Sequence, residues 1–401
     1  MSTCQVCRSE STIYSENLEK YPLGNIYLSS NSGELPYLRD IFLKVCGGGH
    51  LTATSKFSSD SLYNADYPYL GASAVPNSRR KKATELLVSS FSDCEFGNVV
   101  DIGCGNFELL EVLRESDFKV SGKFVGVDPV PRGEIPDGIT FINDYFSPQS
   151  LSLENFNQPN LICMDNVLEH IDELQNFMSD LSKWTSQGDM VLACVPSYEL
   201  MLERKIFSEI SHEHCNYFSL QSLSTLFNEF GFETIAESSE VIHSRGYNFH
   251  LFRFNPSTNL GQTEGARGSG TLKFLPLDHE IGDSSFEKNF SEFRKNLKKS
   301  LPETFKGAAY GVGASELTPT LAYFLQNDFS SLKGIFDSTP SKFHKFMPGI
   351  KPPILPWVEL AQLNRNDNLV VLAPSVATEI SATLGRMNFS NIWVPDFGGL
   401  A

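Results

Sequence analysis

The feature that most limits what this chain can fold into is a series of short apolar strands. Each closes on glycine, an acid or proline, and helical spacing recurs between them. Asn98-Val-Val-Asp-Ile-Gly103 is the first. Between Phe107 and Arg114, Leu109, Leu110 and Leu113 recur at the spacing of one helix face. Phe124-Val-Gly-Val-Asp128, Asn160-Leu-Ile-Cys-Met-Asp165 and Met190-Val-Leu-Ala-Cys-Val195 read as further strands, the last ended by Pro196. Helices are expected over Arg79–Ser90 and from about Leu174 to Trp184. Alternation of this kind predicts a mostly parallel α/β sheet with helices on both faces.

The pattern runs twice. Residues 255–271 are rich in Gly, Ser, Thr and Asn and read as a linker or mobile loop. A charged helix over about Ser285–Ser300 follows. Strands then fall at Lys306–Gly311, Leu332–Asp337, Leu369–Ala373 and Asn391–Pro395. The first 75 residues are mixed and turn-rich, and no short-period repeat is visible. A chain of 401 residues exceeds one typical core. Three parts are expected: 1–75, 76–255, and 256–401, the last a linker helix plus a second Rossmann-like α/β domain.

Composition narrows the function. The chain is 41% hydrophobic and 20% charged, with a net charge of −16, which fits a soluble globular protein. So acidic a surface repels phosphate backbones and argues against a nucleic-acid partner, although a local nest of N–H groups still accepts a small anion. No apolar run reaches membrane-spanning length, and the N-terminus lacks the basic and apolar regions of a secretion signal. Eight cysteines are too sparse for a disulfide scaffold. Cys104, Cys163 and Cys194 read as buried core thiols, which points to a reducing cytoplasm.

Gly103 and Gly105 lie just past a strand and before a helix, where backbone can approach a ligand and N–H groups are free. Asp101 sits at the strand end. Asp128 closes the next strand, where an acid can accept from two ribose hydroxyls. A dinucleotide fingerprint would need a third glycine where Glu108 stands, and a glutamate there repels a pyrophosphate. The sulfonium and amino group of S-adenosylmethionine are cationic and suit these acids. Asp144, after the third strand, is either a partner for the adenine amine or a turn residue. Asn166, in the loop after the fourth strand, completes the candidate cofactor set.

In open parallel sheets ligands sit beyond the carboxyl ends of the strands, so the loop Asp165-Asn-Val-Leu-Glu-His170 faces the reacting atoms. His170 is a candidate catalytic group, or a helix-start histidine bonded to backbone. The segment Ile210-Ser-His-Glu-His-Cys-Asn-Tyr-Phe218 packs two histidines around Glu213. A histidine titrates near neutrality and suits a general base. His212 and His214 also have a spacing that can bind zinc, but no third ligand is evident nearby.

With these residues the chain resembles the sugar C-methyltransferases of deoxysugar biosynthesis. Six segments match in order: Cys4-x-x-Cys7, Tyr67-Pro-Tyr-Leu-Gly-Ala-Ser73, the strand and glycines at 99–105, Val167-Leu-Glu-His170, His212-Glu-His-Cys-Asn-Tyr217 and Tyr310-Gly-Val-Gly-Ala-Ser315. The resemblance implies a zinc-binding N-terminal domain, a class I S-adenosylmethionine-dependent methyltransferase domain and a C-terminal Rossmann-like domain that holds the nucleotide of the substrate in some members. It implies a small-molecule substrate, a nucleotide-linked 4-keto-6-deoxysugar, deprotonated beside its ketone and methylated at that carbon. By position His214 would be the base and Glu213 its support. His170 and a tyrosine of the pair Tyr67 and Tyr69 would bind or polarise the sugar.

The chain departs from the family pattern at several positions. Leu43 stands where a third zinc cysteine belongs, which leaves Cys4, Cys7 and Cys46; His50 lies four residues on and completes a set for one structural Zn2+, the alternative being a degenerate site that no longer binds metal. Ser211 replaces a tyrosine. Glu316 and Pro374-Ser375 replace a lysine and Trp-Asn. Arg245 is a candidate phosphate contact. The competing classes are an O- or N-methyltransferase, a nicotinamide-linked oxidoreductase using Gly311, Gly313 and Asp337, and a non-catalytic binding protein.

Overall fold

The computed structural model describes residues 3–30, 35–57, 74–91, 94–116, 119–130, 133–151, 158–242, 245–259 and 285–398. Tyr67, Tyr69 and most of the expected linker lie outside them. The N-terminal part is an antiparallel meander of β1 (Thr12–Pro22), β2 (Leu38–Cys46) and β3 (Leu51–Ser55). Leu18, Ile41, Leu43, Val45, Leu51 and Ala53 bury one face of it. These residues share a single apolar cluster with Phe286, Phe290, Phe293 and Phe324 of the C-terminal part, so the two ends of the chain stabilise each other by burying a common surface.

The central part opens with α1 (Ala74–Phe91). Among the described residues nine strands follow: β4 (Glu95–Phe96), β5 (Val99–Ile102), β6 (Lys119–Val120), β7 (Phe124–Val127), β8 (Ile139–Ile142), β9 (Leu161–Asp165), β10 (Met190–Pro196), β11 (Asn216–Tyr217) and β12 (Phe232–Ile242). A tenth, β13 (Arg245–Phe254), completes the part. Interleaved with them are α2 (Glu108–Arg114), α3 (Leu174–Trp184), α4 (Tyr198–Arg204) and α5 (Leu220–Glu229). The main sheet has the order β8-β7-β5-β9-β10-β13-β12, with β13 antiparallel to both neighbours. β9 and β10 are buried almost end to end, which is why they read as continuous apolar runs. β12 alternates between half-buried and exposed positions, as an edge strand does. Strand order reverses between β5 and β9, where doubly wound sheets hold their ligands. The short β11 leaves this part and pairs with β3 of the N-terminal meander. This is the Rossmann-like α/β sheet expected of a class I methyltransferase.

The C-terminal part begins with α6 (Ser285–Lys299), whose Phe286, Phe290, Phe293 and Leu297 recur at helical spacing and are buried. A five-stranded parallel sheet follows: β14 (Ala309–Val312), β15 (Ile335–Asp337), β16 (Ile354–Pro356), β17 (Asn368–Val371) and β18 (Asn391–Trp393), in the order β16-β15-β14-β17-β18. The helices α7 (Thr318–Leu325) and α8 (Ala377–Arg386) cover it. Among the described residues no helix is long and apolar enough to cross a membrane.

Candidate active site

At the point where the central sheet reverses there is a cavity of about 240 Å³. All three parts line it: Pro22 to Asn25, the loops after β5 and β9 with residues 209 and 211–214, and Glu316, Leu317 and Thr320. Gly103 ends β5 with φ 75°, and a Cβ there would lie 2.5 Å from Val167 Cγ2. Only glycine fits that turn. Asp101 Oδ1 and Asn166 Oδ1 are buried at the cavity without hydrogen-bond partners. Burial, with Asp165 nearby, pushes the Asp101 carboxyl well above its usual range. Orphaned acceptors of this kind mark where a ligand bearing donors belongs.

Asp128 is buried beside the glycine loop. Its Oδ2 accepts from Gly105 N at 3.0 Å and its Oδ1 from Val130 N at 2.9 Å. It therefore fixes the loop. It is absent from the cavity lining.

The floor of the cavity is an ion network that the sequence reading missed. Arg79 donates to both oxygens of Asp165, at 2.7 and 2.9 Å, and Arg80 Nε lies 3.3 Å from the same carboxylate. Burial alone would raise Asp165, but Arg79, with help from Arg80, holds the carboxyl below its usual range. The available signal was the Arg-Arg pair at the start of an otherwise ordinary helix. Neighbouring residues on a helix point about 100° apart, and here both arginines turn to the Asp165 carboxylate.

The wall is the segment 210–217, pinned to the loop after β9. Cys215 N donates to Glu169 O at 2.8 Å and Asn216 Nδ2 to Ile171 O at 2.8 Å. His170 Nδ1 donates to Glu213 O at 2.8 Å, so Nε2 carries the lone pair. Its ring meets that of His214 edge-on at 4.9 Å. Burial lowers His170 to about 4 and, with His170 and Arg245 nearby, takes His214 well below its usual value. His214 is therefore a neutral imidazole, and its Nδ1 is buried without a partner. Glu169 is buried too, and burial raises its carboxyl to about 8.

Residues 77–237 match a methyltransferase domain, and residues 278–391 match a C-methyltransferase C-terminal domain. The protein is an S-adenosylmethionine-dependent methyltransferase. Along most of its length this methyltransferase is 23% identical to C-methyltransferase NovU of Streptomyces niveus, over 94% of this chain and 90% of the relative. Among solved structures, N-methyltransferase NodS of Bradyrhizobium japonicum is 14% identical, with 46% of this chain and 99% of that one covered and a TM-score of 0.33. The 1,6-didemethyltoxoflavin-N1-methyltransferase of Burkholderia thailandensis is 12% identical, with 44% and 78% covered and a TM-score of 0.34.

The structure separates the residues singled out in the sequence of this methyltransferase. Asp101, Gly103, Asn166, His170, Glu213 and His214 line one cavity. Asp144 does not: it is exposed and its Oδ1 accepts from Tyr145 N at 2.8 Å. His212 is structural. Its Nδ1 accepts from Ser55 Oγ at 2.8 Å and its Nε2 donates to Tyr21 O at 2.9 Å, tying the wall to the N-terminal meander. Glu213 reaches His170 through its main-chain carbonyl. Arg245 lines the same cavity with two carboxylates against its guanidinium, Glu209 at 3.1 Å and Glu316 at 2.9 Å. Glu316 thus joins the C-terminal part to the cavity.

The sulfurs of Cys4, Cys7 and Cys46 converge within 4.8 Å of one another, and Cys7 and Cys46 are 3.2 Å apart. His50 falls outside this set. Its Nε2 turns to Asn216 Oδ1 at 3.3 Å, and its ring packs on Phe218. Leu43 is wholly buried in the apolar cluster of the meander.

Proposed function

We propose that this methyltransferase alkylates carbon, on a small molecule whose C–H is acidified by a neighbouring ketone, with a nucleotide-linked 4-keto-deoxysugar as the acceptor. One observation carries the reading: a neutral His214, with a buried unpartnered nitrogen, faces the cavity beside the Gly103 loop. The match of residues 278–391 to a C-methyltransferase C-terminal domain and the likeness to NovU support it.

S-adenosylmethionine, when bound, supplies an electrophilic methyl group. Asp101, Gly103 and Asn166 line its site, and Gly105 and Asp128 hold the loop in shape. His214 removes the proton from the carbon beside the ketone, because such a C–H is too weak an acid to ionise unaided. The enolate oxygen needs a donor. With Nδ1 committed to Glu213 O and Nε2 bearing the lone pair, His170 offers an acceptor, and a tyrosine of the pair Tyr67 and Tyr69 is the donor that the family resemblance implies. Cys4, Cys7 and Cys46 would hold a structural Zn2+ through three thiolates.

The test is hydrogen exchange. In D2O with S-adenosylhomocysteine, the wild type should exchange the acceptor's α-hydrogen of a nucleoside-diphosphate 4-keto-6-deoxysugar, and His214→Asn should slow this by about 100-fold or more. Exchange at the wild-type rate in His214→Asn would remove His214 from the role.

A further inference from the structure

His212-x-His214 looks like a pair of imidazole ligands lacking a third, but the fold gives His214 other neighbours. A carboxylate oxygen of Glu169 and one ring nitrogen each of His170 and His214 lie within 4.8 Å of one another. Both Glu169 oxygens are buried without a hydrogen-bond partner, on a residue only 1% exposed. His214 Nδ1 is buried in the same condition. His170 Nδ1 is held by the Glu213 carbonyl at 2.8 Å, which directs its lone-pair nitrogen Nε2 toward Glu169 Oε1 at 3.9 Å. Metal-binding histidines are oriented in this way, one ring N–H tied to a carbonyl and the other nitrogen turned to the ion.

We propose that Glu169, His170 and His214 form a site for one divalent transition-metal ion of the zinc class. Two imidazoles and a carboxylate are a borderline donor set that suits such ions, whereas calcium and magnesium require mostly oxygen. Bonds of about 2.1 Å space two ligands about 3–4 Å apart, so the set closes with roughly 1 Å of side-chain adjustment. The ion and the acceptor's proton then compete for one imidazole, and a loaded site blocks deprotonation. That consequence, unlike the site itself, rests on His214 being the base.

Full-length protein is first given one equivalent of Zn2+ to fill the three-cysteine cluster. It is then titrated with Co2+ and followed by visible absorption. One Co2+ should bind with ligand-field bands and no thiolate charge-transfer band. Loss of an outer-shell partner alone weakens metal sites by about 10–100-fold, so Glu169→Gln and His214→Asn should each weaken this binding by at least about 100-fold. Each variant must still bind S-adenosylhomocysteine in a calorimeter; one that does not is set aside and the other decides, or His170→Gln if both fail. No Co2+ bound by the wild type, or wild-type affinity in the folded variants, overturns the site. Either result leaves the hydrogen-exchange test of His214 untouched, so the two ideas fail separately.

Discussion

In the central sheet Gly103 ends β5 with φ 75°, and Gly105 N donates to Asp128 on the next strand at 3.0 Å. In the C-terminal sheet Gly313 ends β14 with φ 92°, and Ala314 N donates to Asp337 at 2.9 Å. The other oxygen of each acid takes the amide two residues on, Val130 at 2.9 Å and Thr339 at 2.8 Å. Donor and acid are 23 residues apart in both. The loops differ in what stands before them. At the first, Asp101 and Asn166 hold orphaned oxygens at a cavity. At the second, Lys342 Nζ donates to Ala314 O at 2.9 Å, the Tyr27 hydroxyl donates to the same carbonyl at 3.2 Å, and the Thr318 hydroxyl lies 2.9 Å from Leu372 O. A glycine and an acid therefore set the path of the backbone. The polar groups left without partners are what distinguish a binding loop from a structural one.

The largest effect should come from the network under the first loop. Arg79→Ala removes both hydrogen bonds to a buried Asp165, leaves it Arg80 at 3.3 Å, and should cost about 3 kcal/mol in urea unfolding. Asp165 is held below its usual range, so its stabilisation is present above the unfolded carboxylate pKa of about 3.9 and is lost as pH falls through the folded value. The gap between wild type and Arg79→Ala should thus narrow from about pH 5 downward. A constant gap would mean that Asp165 is not the group Arg79 serves. The smallest effect should come from the second loop: Lys342→Ala, on a partly exposed pair, should cost about 1 kcal/mol or less and leave S-adenosylhomocysteine binding unchanged. Lost binding would mean that the C-terminal loop contributes to the cofactor site.

Much of this was legible in the sequence where burial is two-sided. The strand at 161–165 is apolar up to its closing Asp165, and the one at 99–102 is apolar apart from Asp101. The helix Leu174–Trp184 carries Leu174, Met178 and Leu181 on one face and begins and ends where its periodicity does. The N-terminal meander was not legible, because β1 (Thr12–Pro22) is polar and mostly exposed along its first half and buries only Leu18, Tyr21 and Pro22. In the site, spacing misled at His212 and His214. The chain bends at 212–213, so His212 serves Ser55 and Tyr21 while His214 meets His170. Asp128 was found, but its hold on Gly105 depends on the loop folding back, which no spacing records.

Asp128→Ala and Asp337→Ala make the same deletion in the two loops, and calorimetric titration of both with S-adenosylhomocysteine tests the contrast most directly. Each should lose similar stability, since each frees two amides. Asp128→Ala should bind at least about tenfold more weakly, the equivalent of one charge-assisted hydrogen bond, and Asp337→Ala should bind as the wild type does. Equal loss in both, or loss in Asp337→Ala alone, would contradict the assignment of the cofactor to the central cavity.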